Sequence, residues 1–281
     1  METQKIKQTV KERYGKAAET SNGGTSCCCA TGSVQSLSFA AEHGLYSKEE
    51  LSLIPKTALT LSKGCANPVG FANIKSGEVV VDFGCGAGID VILATHKAGI
   101  DGKVVGVDFT PQMIEKAKLS VAEAKLDERK IEFINAELNN TTLPDNFADV
   151  IISNCVINLC PDKEDVYREA FRILKPGGRL SISDIVYSEK INPLLEARFK
   201  ASWAGCVGGT IAECCYFEIV RKTGFNQIEV VARHTLPEKE LEEMVTCPGS
   251  EFTPAPAKED IDTVQGKVVS IKFTAIKLRT N

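Results

Sequence analysis

The stretch Glu78-Val-Val-Val-Asp-Phe-Gly-Cys-Gly-Ala-Gly-Ile-Asp90 constrains this chain more than any other. Val79, Val80, Val81 and Phe83 form a short, β-branched apolar run, the kind of strand that a sheet covered on both faces requires. Gly84, Gly86 and Gly88 follow at alternate positions. Without Cβ atoms the backbone there can turn sharply and a ligand can approach the main chain, while the helix expected after Gly88 offers its free N–H groups. The next strand ends in Asp108, about 20 residues past the last glycine, where a carboxylate can accept both hydroxyls of a ribose. The spacing is not the Gly-x-Gly-x-x-Gly of dinucleotide folds. Asp82 also precedes the first glycine, which suits a ligand with a cationic amino group rather than a pyrophosphate.

Strands and helices are predicted to alternate from Glu78 to Val186. Strands are expected at Val79 to Phe83, Val104 to Asp108, Ile131 to Ile134, Ala148 to Ser153 and Leu180 to Ile185, with Lys175-Pro-Gly-Gly as a turn feeding the last. Helices are expected at Ile89 to Ala98, Pro111 to Lys125 and Lys163 to Leu174. This is the pattern of an α/β, doubly wound, mostly parallel sheet, whose ligands bind beyond the carboxyl ends of the strands. The glycine loop and Asp108 resemble motif I and its acidic partner in the Rossmann-like (class I) methyltransferases that use S-adenosylmethionine. The resemblance implies a donor site at Asp82, Gly84, Gly86, Gly88 and Asp108, with Asn154 beside it. The adenine would be held by Glu137 and Leu138, although Glu137 reads equally well as an exposed surface carboxylate.

Around this core we expect an N-terminal extension with thiol-bearing loops (1–70), the donor-binding domain (71–188) and a smaller α+β C-terminal region (189–281). The extension carries helices from Thr3 to Glu19, after a capping box at Ser47, and from Pro55 towards Gly64. The C-terminal region carries helices at Pro193 to Trp203 and Thr210 to Thr223, and strands at Gln227 to Arg233 and Lys267 to Lys277. The net charge of −4 and a pI near 5.6 give no basic surface on average, which argues against nucleic acid as a partner. Met1 to Gly15 is charged throughout, so no signal peptide or membrane span is expected there and a cytoplasmic location is. In that compartment eleven cysteines are not a disulfide framework. Metal binding, catalysis and small buried hydrophobes remain open.

Cys155 falls just past the fourth strand, beside the expected donor, and reads either as a functional thiol or as packing among Val156 and Ile157. Cys206 lies in Trp203-Ala-Gly-Cys-Val-Gly-Gly, where small neighbours leave room for a bulky atom. Ser153-Asn-Cys155-Val-Ile-Asn-Leu, Trp203-x-x-Cys206-x-Gly-Gly, Gly64-Cys65 and the upstream cluster Cys27, Cys28 and Cys29 together resemble the arsenite methyltransferases. The chain departs from that pattern at Ala66, where glycine is usual, and in offering three upstream cysteines for one. The resemblance implies thiolates from Cys155, Cys206 and Cys65 holding trivalent arsenic, with Cys27, Cys28 and Cys29 also catalytic. It implies arsenite and methylarsenite as substrates, S-adenosylmethionine as methyl donor, no stable metal cofactor, and thioredoxin or another dithiol as reductant. No general base is needed, and His43, His96 and His234 are not in loops expected to face the donor. Two alternatives stand beside it: carbon or heteroatom methylation of a small molecule in the manner of quinone biosynthesis, and a thiol-rich metalloid-binding protein.

Overall fold

The computed structural model describes residues 3–20, 46–61, 66–200, 207–245 and 256–279. Its centre is a seven-stranded sheet. The strands are β1 (Val79–Phe83), β2 (Lys103–Asp108), β3 (Ile131–Asn135), β4 (Ala148–Asn154), β5 (Leu174–Tyr187), β6 (Asn226–Thr235) and β7 (Val268–Ile276), in the order β3-β2-β1-β4-β5-β7-β6. The first five run parallel, while β7 pairs antiparallel with both β5 and β6. Alternation along β1 sends Val81 and Phe83 to one face and Val80 to the other, and each set joins its own buried cluster. The strands therefore read as continuous apolar runs because helices cover both faces.

On one face lie α5 (Ile89–Ala98) and α6 (Pro111–Glu123), against Val80, Val104 and Val150. On the other lie α7 (Lys163–Ile173) and α9 (Glu213–Lys222), whose Tyr167 and Phe217 pack with Val105 and Ile151. Before β1 lie α1 (Thr3–Thr20) and the short helices α2 (Lys48–Leu53), α3 (Lys56–Thr60) and α4 (Pro68–Phe71). Ser47 closes the expected capping box with Glu50 at the start of α2. Among the described residues no helix is long and apolar enough to cross a membrane.

The structure departs from the sequence reading at several boundaries. Lys175-Pro-Gly-Gly is not a turn ahead of β5 but a bulge inside it. Register to β4 jumps from Ala148↔Leu174 to Val150↔Arg179, and Gly177 takes φ +87°. Hydrogen bonds from Gly177 N to Lys277 O (2.7 Å) and from Lys277 N to Gly178 O (2.9 Å) keep the segment in the ladder despite its turn chemistry. The helix expected from Thr210 begins at Glu213, because Ala212 bridges in parallel to Tyr187. The described part of the helix after Pro193 is α8 (Pro193–Phe199), and α3 ends at Thr60. Two helices that the sequence reading did not assign, α10 (Glu238–Val245) and α11 (Lys258–Val264), bury Leu241, Val245, Ile261 and Val264 in the same cluster as Cys155.

Candidate active site

Strand order reverses between β1 and β4, and the crevice beyond their carboxyl ends opens into a cavity of about 280 Å³. The glycine loop forms its floor. Gly84 takes φ +78°, and a Cβ there would lie 2.4 Å from a methyl of Val156 in the β4 loop; the bare α-carbon lets the two loops touch. Gly86 takes φ +50°, and a Cβ there would meet nothing within 4 Å, so its backbone is open to the cavity. Gly88 does not line the cavity. At φ +91° it turns the chain into α5 against Ala117.

Asp108 closes one end. Its carboxylate accepts hydrogen bonds from Gly86 N (3.1 Å) and Thr110 N (2.8 Å), so that it is fixed by the glycine loop and by the start of α6. Burial raises its pKa, and those two backbone bonds oppose the rise. Glu137 and Leu138 follow β3 on the same rim, with Glu137 paired to Lys7 of α1. Asp82 lies behind the floor, buried and not lining the cavity. Desolvation and the neighbouring Asp90 and Asp108 push its pKa well up.

Asp90, in the first turn of α5, lines the cavity instead. It accepts a hydrogen bond from Asn154 Nδ2 (3.0 Å) and a long one from Tyr46 Oη (3.5 Å), and burial raises its pKa to about 7. Asn154 also holds Ala66, donating to its carbonyl (2.6 Å) and accepting from its N–H (3.3 Å). Asp90, Tyr46, Lys7 and Tyr14 were not singled out in the sequence. The signals available were an acidic first-turn residue, which resembles ordinary helix capping, and the 3-7-10-14 stripe of α1, by which Thr3, Lys7, Val10 and Tyr14 roof the cavity.

Cys155 sits where expected, at the carboxyl end of β4, lining the cavity and only 3% exposed. Its backbone is left-handed at φ +61°, held by the bond from its N–H to Ser183 O (2.8 Å). A side chain bearing a Cβ costs about 1–2 kcal/mol there, a cost that glycine would avoid. Packing alone does not call for cysteine at such a position. Two further thiols line the same cavity: Cys85 of the glycine loop, and Cys160 past the 3₁₀ turn Ile157–Leu159, whose pKa burial pushes up to about 12. Cys27, Cys28, Cys29, Cys65 and Cys206 lie outside the described residues. His96 and His234 are exposed and do not line the cavity.

Parallel strands that reverse order beside a glycine loop, with a carboxylate ending the neighbouring strand, define the Rossmann-like class that seats a nucleoside in the reversal crevice. The profile of the methyltransferase domain family matches residues 74–245, and the chain belongs to that family. It is 34% identical to the arsenite methyltransferase of Halobacterium salinarum over 82% of this chain and 60% of that protein. To the arsenite methyltransferase of Aquipseudomonas alcaligenes it is 32% identical, over 80% of this chain and 63% of that protein. The chain thus spans about 60% of the length of these curated relatives. Among solved structures, an arsenic(III) S-adenosylmethionine methyltransferase from Chlamydomonas reinhardtii superposes with a TM-score of 0.62 at 26% identity. That match covers 87% of this chain and 74% of the other.

Proposed function

We propose that this chain transfers methyl groups from S-adenosylmethionine to thiolate-bound trivalent arsenic, and that Cys155 is one of the arsenic ligands. The observation that carries the reading is Cys155 itself, a thiol held in a costly backbone conformation on the cavity that the glycine loop opens. The lining of that cavity supports a donor there. Gly86 leaves the main chain bare, Asp108 is positioned for a ribose diol, Leu138 offers an apolar rim for the adenine, and Asp90 offers a carboxylate to the cationic amino group. When bound, S-adenosylmethionine supplies an electrophilic methyl group.

Support for further sulfur ligands comes from the sequence neighbours of the cysteines that lie outside the described residues. Ala66, next to Cys65, is tied to Asn154, which immediately precedes Cys155. Val207, next to Cys206, is buried in the same cluster as Cys155. Arsenic(III) keeps a lone pair when bound by sulfur, so it attacks the methyl without losing a proton, and the work of the protein is alignment. Methylation formally oxidises the arsenic by two electrons. A dithiol returns them by closing to a disulfide, and thioredoxin is the partner we infer for that step.

The test is incubation with arsenite, S-adenosylmethionine and a dithiol, followed by speciation of the arsenic. Methylated arsenicals are expected, and their absence with a folded, donor-binding protein overturns the proposal.

A further inference from the structure

Cys214 and Cys215 lie in the first turn of α9 and do not line the donor cavity. Their Sγ atoms are 3.9 Å apart; Cys214 is exposed and Cys215 half-buried. The turn that carries them is pinned on three sides. Ala212 bridges to Tyr187, Arg233 of β6 grips both carboxylate oxygens of Glu213 (2.6 and 3.2 Å), and Tyr216 Oη accepts from Tyr167 (2.9 Å) while donating to the buried Asp184 (2.8 Å). Two thiols are therefore presented to solvent at a fixed separation on a rigid element. We propose that Cys214 and Cys215 form a surface chelating site for a monosubstituted trivalent arsenical, separate from the methyl-transfer cavity.

The donor set selects that ligand. No group of three or more Cys, His, Asp or Glu side chains suited to a metal ion exists among the described residues, so a closed tetrahedral zinc site is not formed here. Two soft sulfurs suit a thiophilic centre with two exchangeable positions, which an arsenical bearing one carbon has. In the binding step two S–H bonds and two As–OH bonds are replaced by two As–S bonds and two waters leave; no electron moves and no net proton is released. The upward shift of the Cys215 thiol, caused by burial and by its hydrogen bond with Cys214, therefore does not oppose binding. The second As–S bond forms intramolecularly, which makes the pair far stronger than either thiol alone. A redox role fits poorly. Adjacent Cα atoms are about 3.8 Å apart, below the ~4.4 Å minimum span of ordinary disulfides, so the pair stays a dithiol unless the helix opens.

The physiological ligand, a monomethylated arsenical made or used by the enzyme, rests on the function proposed above. The affinity of the dithiol does not. The probe is phenylarsine oxide, bound to the full chain, passed through a column containing excess 2-mercaptoethanol, and counted by intact mass spectrometry. Cys214→Ser/Cys215→Ser is expected to retain one equivalent fewer than the parent, and each single variant to lose that same equivalent. Peptide mapping of the loaded parent after cleavage at Glu213, which parts the pair from Cys206, should place phenylarsenic on the peptide containing both residues, which covers the case of a variant that folds poorly. Equal stoichiometry in the parent and a folded double variant, or no adduct on that peptide, overturns the site. If arsenite is not methylated but this equivalent is still lost in the variant, the chelating site stands and the proposed function falls.

Discussion

Burial holds the Asp90 carboxyl at a pKa of about 7, well above an ordinary aspartate, even though Asn154 and Tyr46 donate to it. The folded chain therefore keeps a proton that the unfolded chain loses near pH 4. This contribution to stability is complete below that pH and is lost as pH rises towards 7. Asp90→Asn removes the buried ionisation, and an amide can still bond both neighbours. The ligand-free variant is expected to be stabilised at pH 8 by on the order of 1 kcal/mol, about 2–4 °C in melting temperature for a chain of this size. The same change should weaken S-adenosylmethionine binding about ten- to a hundredfold, the worth of one charge-assisted hydrogen bond. Donor affinity of the parent should rise with pH up to about 7 and then level. Calorimetric titrations and melts across pH 5.5–8.5 check all three, and an unchanged donor affinity would remove Asp90 from the donor site. Cys155→Ser should abolish methylation while leaving donor affinity within about twofold, because a hydroxyl fills the same space but is too hard a ligand for arsenic. Turnover at the parental rate would return Cys155 to packing. Gly84→Ala drives a Cβ into Val156, displacing the loop that carries Cys155. It should lower both donor binding and methylation, whereas Gly86→Val, which meets no neighbour but places a β-branched residue at φ +50°, should damage donor binding at a stability cost of at least about 1–2 kcal/mol.

Helix α1 was legible as an element and not as a lid. Its predicted span, Thr3 to Glu19, nearly matches the observed Thr3–Thr20, since composition and the 3.6 period suffice for that. Its docking depends on contacts that no local pattern contains. Ile6 and Val10 join the Cys155 cluster, Ala17 and Ala18 pack with Met113 of α6, and Lys7 pairs with Glu137 after β3. The same reasoning explains α10 and α11, short charged helices whose few apolar residues find partners only in the assembled protein. It also explains the β5 bulge, which Lys277, just past β7, stabilises from about a hundred residues away along the chain. The lid role makes a prediction. Lys7→Glu replaces an ion pair with a repulsion against Glu137 across the donor rim, so the Michaelis constant for S-adenosylmethionine should rise about three- to tenfold while the rate at saturating donor changes little. A comparable rise with Glu137→Lys that is reversed when it is combined with Lys7→Glu, which restores an ion pair with the charges exchanged, would identify the pair rather than either residue. A fall in maximal rate with unchanged donor affinity would instead give α1 a part in arranging the arsenic site.

Across the whole molecule, the sequence carried the parallel sheet, its glycine loop and Asp108, because strand and helix periods and turn residues are local properties. It did not carry Asp90, which resembles a routine first-turn acid, nor which loops converge on β4. That convergence gives the last prediction its basis. Ala66 is stitched to Asn154, Cys155 follows directly, and Val207 is buried in the Cys155 cluster, so segments adjoining Cys65 and Cys206 meet at one strand end from opposite sides in sequence. Inorganic arsenite has three positions to exchange for sulfur. Monomethylarsenite has one occupied by carbon and two free. If Cys155 and Cys206 provide two sulfurs, the methylated substrate is complete without a third protein thiol, whereas arsenite is not. Cys65→Ser, or replacement of Cys27, Cys28 and Cys29 together by serine, should therefore slow the first methylation at least about tenfold and the second by no more than about twofold. Single changes within the 27–29 cluster should be masked by neighbouring thiols. Rates on the two substrates are measured side by side, at several concentrations of a small dithiol, since the dithiol can itself lend a sulfur and would then rescue the first step selectively. Equal losses on both substrates would assign these cysteines to electron return or to the fold, and the third arsenic ligand would have to be sought elsewhere, with Cys160 on the cavity wall the next candidate.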